Sequence, residues 1–422
     1  MLRFAKGNIL VFALSDMLGN FVRSMVFPYA ALYILALGGS AGQVGVVASL
    51  GQLAGLVLLP VAGYIADRIN RIYIIAAAGF LSVIFQLLNV FAPDWRWVAL
   101  ASFLSGTVVV VFPAYSSLIA DSLAHDGRGR GIAIMNMISS SLTIAGPFIA
   151  GLIIERAGAE LGMRILYAVL IVFYLASTLL QVRYLKEPAG PPREKLQPRE
   201  LLAALSQVFR AIPRLVREMS PALKALTLII MLTFMAHALT GAFWVVFATN
   251  IQALSPAQWG LILLIEAVLK WALLVPAGVL VDRWGRTASL IAALALFTLG
   301  TPLFYLVRGF YPVLAVRLLL AVPFVLAIPA CTALLTDLVP RRVRGQMMAA
   351  IGQGGIMLGA VGAPGGPAIG YLIIPALMLA SLAGGYLYAL HPSIPWILST
   401  VIGALSILLA ALYVRDPGQA EH

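Results

Sequence analysis

The chain has 422 residues, of which 62% are hydrophobic and 10% charged, and its mean hydropathy is +1.00. Soluble domains are about half apolar and about a quarter charged, so this composition excludes a soluble globular protein and predicts an integral membrane protein. The formal net charge is +12, but the basic residues lie beside apolar runs, which favours contact with anionic lipid over nucleic-acid binding.

Apolar runs of about 20 residues, the length of helix that crosses about 30 Å of hydrocarbon, recur along almost the whole chain. The two-residue alternation of a membrane β-barrel is absent, so we predict an all-α integral membrane protein. We expect the first span to be retained, because it is too long for a signal peptide and lacks an A-x-A site. Twelve transmembrane helices are predicted, at residues 8–36, 43–65, 72–91, 97–120, 132–154, 164–185, 223–250, 257–281, 287–307, 310–336, 346–374 and 395–414.

Span 1 carries Asp16, Asn20 and Arg23 on one helical face. An ionisable group at the middle of a membrane costs about 2.5–3.5 kcal/mol on insertion scales, so each is a functional candidate. Asp16 is the first candidate for a proton-titrating or substrate-cation site, and Arg23 for its partner or a substrate-anion contact. A purely structural pair of Asp16 with Arg23 is the alternative.

A charged segment, GYIADRINR at residues 63–71, follows span 2, and GVLVDRWGR at residues 278–286 follows span 8 at an offset of 215 positions. PAYSSLIADSLAHDGRGRG, which starts at Pro113, is matched by PACTALLTDLVPRRVRG, which starts at Pro329, at an offset of 216. Repetition at nearly one offset predicts two parallel six-helix repeats. The predicted units are an N-terminal bundle at 1–185, a cytoplasmic linker with an amphipathic helix at 186–221, and a C-terminal bundle at 222–422.

Small residues and prolines are grouped in spans 5 and 11. Span 5 contains AGPFIAG at residues 145–151, and span 11 has glycines at four-residue steps around two prolines. This spacing is typical of tight helix packing, and a hinge is the second interpretation. The residues concerned are Gly146, Pro147, Gly151, Gly362, Pro364, Gly366, Pro367 and Gly370.

The linker begins with a Pro-rich stretch, and residues 199–218 are predicted to form a basic amphipathic helix on the inner membrane face. It separates six spans from six.

Spans 7, 8 and 10 carry further polar groups. Span 7 places His237 and Trp244 along one face, and a packing role for His237 is the main alternative to a functional one. Span 8 has Glu266 and Lys270 four residues apart, a spacing that favours an ion pair on a helix, although Glu266 is also a candidate for proton uptake. Arg317 in span 10 has no obvious partner in its own helix, and we expect it to reach Glu266 or a substrate anion.

Residues 375–390 are apolar but contain Pro375, Gly384 and Gly385. We expect an extension or re-entrant piece on the outer side of the membrane. A short thirteenth span is the alternative.

The charged segments resemble the signature of the major facilitator superfamily, G-x-x-x-D-R-x-G-R between spans 2 and 3. The second copy matches it fully, and the first has Asn70 in place of Gly, which we expect to adopt the left-handed conformation of the turn. AGPFIAG is similar to the signature of the family's drug and proton antiporters, but Leu142 replaces a further Gly, and Ser102 stands where antiporters tend to carry an arginine. The resemblance covers the chain except 186–221 and 375–390, and it implies a fold of two six-helix bundles.

The resemblance and the repeat symmetry together imply a gate at the cytoplasmic ends of the bundles. Gly63 and Gly278 would let a helix from the opposite half approach closely. Each nearby aspartate would face the positive N-terminal end of such a helix, although the charges could instead only orient the chain in the membrane. The predicted contacts are Asp67 with Arg344 and Gly345, and Asp282 with Arg130 and Gly131. The candidate gate residues are Gly63, Asp67, Arg68, Arg71, Asp121, Arg130, Gly278, Asp282, Arg283, Arg286, Asp337 and Arg344.

Most lysine and arginine residues fall on loops of one side and on the linker, so the positive-inside rule predicts a plasma-membrane protein with both termini in the cytoplasm. The expected partners are the lipid bilayer, a small-molecule substrate and protons, and the expected state is a monomer. The single cysteine, Cys331, excludes an intramolecular disulfide, and neither a cofactor nor a metal site is predicted.

The leading functional hypothesis is a secondary active transporter that works by alternating access. It would export a small amphipathic or hydrophobic molecule in exchange for protons, through Asp16 or Glu266. Proton-coupled uptake and a non-transporting receptor are the alternatives. The P-loop, H-E-x-x-H and G-x-S-x-G motifs are absent, so neither an ATP-driven pump nor an enzyme is predicted.

Overall fold

A computed structural model of the chain describes residues 7–123, 128–187, 198–352, 355–358 and 369–415. Helices dominate this part of the chain, as the composition predicts. Before the linker they are α1 (Asn8–Ala36), α2 (Ala41–Arg68), α3 (Arg71–Val90), α4 (Trp95–Asp121), α5 (Arg128–Ser140), α6 (Gly146–Ala157) and α7 (Ala159–Tyr184).

The linker and the second half continue this pattern. The helices there are α8 (Pro198–Glu218), α9 (Pro221–Asn250), α10 (Pro256–Trp284), α11 (Arg286–Leu306), α12 (Phe310–Leu338), α13 (Arg344–Ile351), α14 (Ile374–Leu390) and α15 (Ile394–Tyr413).

Within the described residues, 10 helices are long and apolar enough to cross a membrane: α1 to α4, α7, α9 to α12 and α15. The predicted span 5 is instead divided into α5 and α6 by a turn at residues 141–145. Pro147 lies in the first turn of α6, where a missing N–H leaves no helical hydrogen bond unmade. Part of predicted span 11 lies outside the described residues, so the count of twelve stays a prediction.

The prediction of an outer extension or re-entrant piece at residues 375–390 is wrong. These residues form α14, which packs along α2 and also contacts α9 and α15. A Cβ on Gly45 of α2 would lie 2.6 Å from the carbonyl oxygen of Ser381 and 2.9 Å from the Cα of Gly385. The glycines that make the segment look unlike a span therefore allow the two helices to touch.

The start of α14 lies beside the end of α13. The N–H groups of Tyr371 and Leu372 donate to the carbonyls of Ala349 and Ala350, at 3.3 and 3.0 Å. A further turn of α13 would supply donors to these same carbonyls, so the residues just before α14 satisfy the end of α13. Four predicted packing residues lie outside the described residues: Gly362, Pro364, Gly366 and Pro367.

The two copies of the charged segment turn differently. Gly285 has φ 90° and ψ 152°, in the positive-φ region that favours glycine. Asn70 has φ −56° and ψ 124°, so the expectation of a left-handed Asn70 is wrong. Its side chain instead accepts hydrogen bonds from the N–H groups of Ile72 and Tyr73 and caps α3.

Helix starts at the opposite end of the molecule repeat as well. Ser40 and Gln43 form a capping box at the N terminus of α2, and Ser255 and Gln258 form one at α10. Both residues of the box recur after 215 positions, the offset of the charged segments. The duplication thus includes the signals that begin helices.

The predicted amphipathic helix of the linker is present as α8. At its start, Glu200 accepts a hydrogen bond of 2.5 Å from the Tyr64 hydroxyl and lies 3.5 Å from the Arg68 guanidinium, both on α2. At its end, Glu218 lies 3.9 Å from the guanidinium of Arg342, which follows α12. The linker helix is therefore tied to both halves of the chain.

Candidate functional site

The candidate functional residues lie in four places: two polar groups inside the membrane-spanning helices and the two ends of the molecule. We call the end that carries the two charged segments the inner end, following the prediction that it is cytoplasmic, and the opposite end the outer end.

The polar face of α1 meets α4. The Tyr115 hydroxyl donates a hydrogen bond of 2.5 Å to Oδ1 of Asp16, and the Arg23 guanidinium donates one of 2.7 Å to Oδ1 of Asn20. Within the described part of the chain, Asp16 and Arg23 form no direct ion pair, so the structural pair considered above is not formed. Each charged group has a neutral hydrogen-bond partner instead.

Glu266 on α10 lies between two cations. Its Oε1 is 2.5 Å from Nζ of Lys270, and its Oε2 accepts a hydrogen bond from the Arg317 guanidinium of α12. Glu266 is 3% exposed and Arg317 is fully buried, whereas 18% of the Lys270 side chain is exposed. We call these three residues the charge cluster. Charge-assisted bonds therefore engage both carboxylate oxygens of Glu266.

Aromatic rings cover the Arg317 side of the charge cluster. The guanidinium carbon lies 4.8 Å from the ring centroid of Trp244 and 5.3 Å from that of Trp259. The ring of Trp244 in turn contacts Phe304 at 4.3 Å and Trp396 at 5.8 Å between centroids. These rings provide an apolar wall and faces that attract a cation.

His237, predicted on the same face of α9 as Trp244, is buried in the helix bundle and 4% exposed. Among the residues that the structure describes, no group of three or more His, Cys, Asp or Glu side chains is placed to hold a metal ion.

The two halves touch at the outer end, where α6 crosses α10. The Tyr29 hydroxyl donates to the Pro147 carbonyl at 2.7 Å and lies 3.1 Å from the Pro256 carbonyl, so it bridges the two helices. A Cβ on Gly151 would lie 2.8 Å from the Tyr29 oxygen, and a Cβ on Gly260 would lie 2.7 Å from it. Gly151 therefore acts in close packing here, as its spacing suggests.

A carboxylate reinforces this outer contact. Oε2 of Glu155 on α6 accepts hydrogen bonds from the Ser255 hydroxyl at 2.7 Å and from the Ala257 N–H at 3.1 Å, both at the start of α10. An acid at a helix N terminus is stabilised by the unpaired N–H groups and the helix dipole.

Glu155→Gln is expected to weaken the outer contact by about 0.5–1 kcal/mol, a shift of about two- to fivefold towards an outer-open state. The measurement is the rate at which an impermeant maleimide, added from outside, labels Asn20→Cys in a Cys331→Ser background. Glu160→Gln is the matched control, because Glu160 pairs with Arg164 of its own helix. An unchanged labelling rate for Glu155→Gln would contradict the assigned role.

At the inner end, the described residues leave space around the two glycines of the charged segments. A Cβ on Gly63 of α2 or Gly278 of α10 would have no described atom within 4 Å. The close approach predicted at these glycines is therefore not made in this state.

The predicted contacts of the two inner aspartates are not formed either. Asp67 and Asp282 are exposed and make no hydrogen bond or ion pair with a described residue. Arg130 is exposed, and the Arg344 guanidinium donates to the carbonyl of Thr336 at 3.2 Å. A latch between the halves at this end would need another conformation.

Other gate candidates form ion pairs within each half. Arg71 lies 2.6 Å from Asp121 and 3.1 Å from Glu187, and Arg286 forms an ion pair with Asp337. The two pairs Arg71–Asp121 and Arg286–Asp337 occupy equivalent positions of the repeat. The nearly equal offsets, 215 between the arginines and 216 between the aspartates, are the signal in the sequence that could have paired them.

The sequence model described as the Major Facilitator Superfamily matches residues 12–236 and 226–422 of the chain. Together these two matches cover nearly the whole sequence.

Several curated relatives are proteins named for drug resistance. The chain is 25% identical over 201 residues to the multi-drug resistance efflux pump PmrA of Streptococcus pneumoniae, covering 45% of this chain and 49% of that protein. It is 27% identical over 208 residues to the multidrug resistance protein MdtG of Serratia proteamaculans, covering 47% and 49%. The chain thus spans about half the length of these relatives. A longer match, 24% over 348 residues, covers 81% of this chain and 80% of MdtG of Enterobacter lignolyticus.

Solved transporter structures share the fold. The nucleoside transporter NupG superposes with a TM-score of 0.68 at 12% identity, covering 96% of this chain and 98% of that one. The inward open xylose transporter XylE from E. coli gives a TM-score of 0.66 at 14% identity, covering 97% and 96%. At identities this low, the similarity concerns the fold alone. The superpositions confirm the predicted all-helical transporter fold.

Proposed function

The chain belongs to the Major Facilitator Superfamily, and on this premise we propose that it exports a small amphipathic molecule in exchange for protons. The family match and the relatives identify the chain as a membrane transporter, not an enzyme. The direction of transport and the exchanged ion belong to the proposal.

The observation that carries the proposal is the surroundings of Asp16. Its carboxylate lies within a membrane-spanning helix and accepts a hydrogen bond from the neutral Tyr115 hydroxyl. No cation lies within ion-pair distance among the described residues, so protonation of Asp16 would break no salt bridge. Glu266, by contrast, would lose contacts with two cations. Asp16 is therefore the better proton carrier of the two candidates.

The arrangement of the two ends supports alternating access. The halves meet at the outer end, through α6 and α10 and through α2 and α14, while the inner glycines and aspartates stand apart. A state of this kind admits a molecule from the inner side. Closure of the inner end and opening of the outer end would then release it outside.

The relatives support the choice of export. PmrA is named an efflux pump and MdtG a multidrug resistance protein, so amphipathic compounds are the first substrates to test. Proton-coupled uptake is the competing function.

The test is proton movement in proteoliposomes that contain the purified protein and a pH-sensitive dye. Adding a transported compound outside should raise the internal pH if protons leave in exchange, and lower it if they enter together with the compound. Asp16→Asn is expected to reduce this pH change to background while downhill movement of the compound continues.

Tyr115→Phe, which removes only the hydrogen bond to Asp16, is the matched control and should keep the proton movement. Full proton movement in Asp16→Asn would remove Asp16 as the exchange group. A falling internal pH in the unmodified protein would replace export by uptake.

A further inference from the structure

The charge cluster carries an excess of positive charge inside the membrane-spanning part of the second half. Lys270 and Arg317 contribute two cations, and Glu266 contributes one carboxylate whose two oxygens are both engaged. No further Asp or Glu occurs on α9, α11, α14 or α15, and those of α10 and α12 lie at the inner end, at Asp282 and Asp337. A net positive charge is costly in the membrane interior, so the cluster favours binding of an additional anion.

Hydrogen-bond donors beside the cluster point the same way. Trp244 is 3% and Trp259 is 1% exposed, and both rings face the Arg317 guanidinium. The indole N–H of each is buried and has no acceptor among the described residues. Buried donors normally have a partner, so the two indole N–H groups call for a hydrogen-bond acceptor. An anion bound at the charge cluster would also be such an acceptor.

We propose that the charge cluster binds the carboxylate of an amphipathic organic anion at Lys270, and that the apolar part of the anion packs against the half-buried ring of Phe324 beside it. Lys270 receives the carboxylate, because its side chain, 18% exposed, is the most exposed of the three and its ammonium group lies 4.6 Å from the centre of the Phe324 ring. The inference deepens the proposed function, on which it rests, by naming its substrate class.

A purely structural network is the competing explanation, in which Glu266 only neutralises its neighbours. Such a network would show no preference between a carboxylate and a neutral molecule of the same shape. A binding site for an anion would show that preference, and the preference would depend on Lys270.

The experiment is a ligand-dependent thermal shift of the purified full chain in neutral detergent, with benzoate, 1-naphthoate and 4-phenylbenzoate and their carboxamides as probes. The unmodified protein is expected to bind at least one carboxylate at least tenfold more tightly than its carboxamide. Lys270→Gln removes one cation and keeps the Glu266–Arg317 pair, and it is expected to weaken carboxylate binding by about tenfold or more.

Two variants keep the test falsifiable if Lys270→Gln folds poorly. Lys270→Arg keeps the charge and should keep the preference, and Lys224→Gln, at the inner end of α9, should leave it unchanged. Equal affinity for carboxylates and carboxamides, absence of carboxylate binding, or an unchanged preference in a folded Lys270→Gln would each overturn the proposal. No proton gradient is present, so loss of anion binding and loss of proton exchange are separate results.

Discussion

Glu266→Gln is expected to lower the free energy of unfolding by about 3–5 kcal/mol, because it removes the carboxylate that two cations share in the membrane interior. The amide is nearly the same size, so packing changes little and the effect is electrostatic. Arg317 is fully buried and Lys270 is mostly buried, so water cannot easily replace the lost charge. The measurement is denaturant or thermal unfolding of the purified protein in one detergent, followed by circular dichroism.

Lys270→Gln is the matched control, because it removes one of the two cations and leaves Glu266 paired with Arg317. Its unfolding free energy should fall by less than that of Glu266→Gln. If the charge cluster binds an anion, a carboxylate ligand should restore part of the stability of Glu266→Gln, by mass action on the folded state. A loss below about 1 kcal/mol for Glu266→Gln would show that water reaches the cluster in the purified protein.

Contacts within one helix, or between segments that repeat, could be predicted from the sequence. Glu266 and Lys270 are four residues apart, so the period of the helix alone places them side by side. The family followed from the signature that the repeated segments carry. In these cases the contact follows from the helix period or from a repeated sequence segment.

Contacts that depend on how distant helices pack could not be predicted. Tyr115 is 99 residues from Asp16, and nothing in its own neighbourhood marks it as a partner. Nothing in the sequence around Glu155 marks Ser255 as its partner, because only the crossing of α6 and α10 brings the two together. A side chain's neighbours on another helix depend on crossing angle and rotation, which composition does not encode.

Around α13 and α14, hydropathy alone did not predict where a helix lies. Residues 346–374 are apolar enough for a span, and 375–390 contain two adjacent glycines that normally weaken a helix. The structure has a helix at Ile374–Leu390, in which Gly385 lies against Gly45 of α2. Close packing between helices offset the low intrinsic helix propensity of glycine at this position.

Gly151→Leu and Gly278→Leu are expected to abolish transport for opposite reasons. At Gly151 a side chain would begin 2.8 Å from the Tyr29 hydroxyl and 2.9 Å from the Cα of Ala257, so it forces α6 and α10 apart at the outer end. At Gly278 the same side chain meets no described atom within 4 Å in the present state and would obstruct only closure of the inner end. Overpacking of this kind costs about 1–3 kcal/mol, a population shift of up to about 100-fold.

The two variants are separated by accessibility, since loss of transport alone would not distinguish them. With Asn20→Cys as the reporter in a Cys331→Ser background, Gly151→Leu should increase labelling by an impermeant maleimide from outside, and Gly278→Leu should confine labelling to the inside. If both variants were labelled from the same side, Gly151 and Gly278 would not act at opposite ends of one movement. Opposite labelling would mean that each glycine allows closure of its own end, because a helix of the other half can approach only where no side chain intervenes.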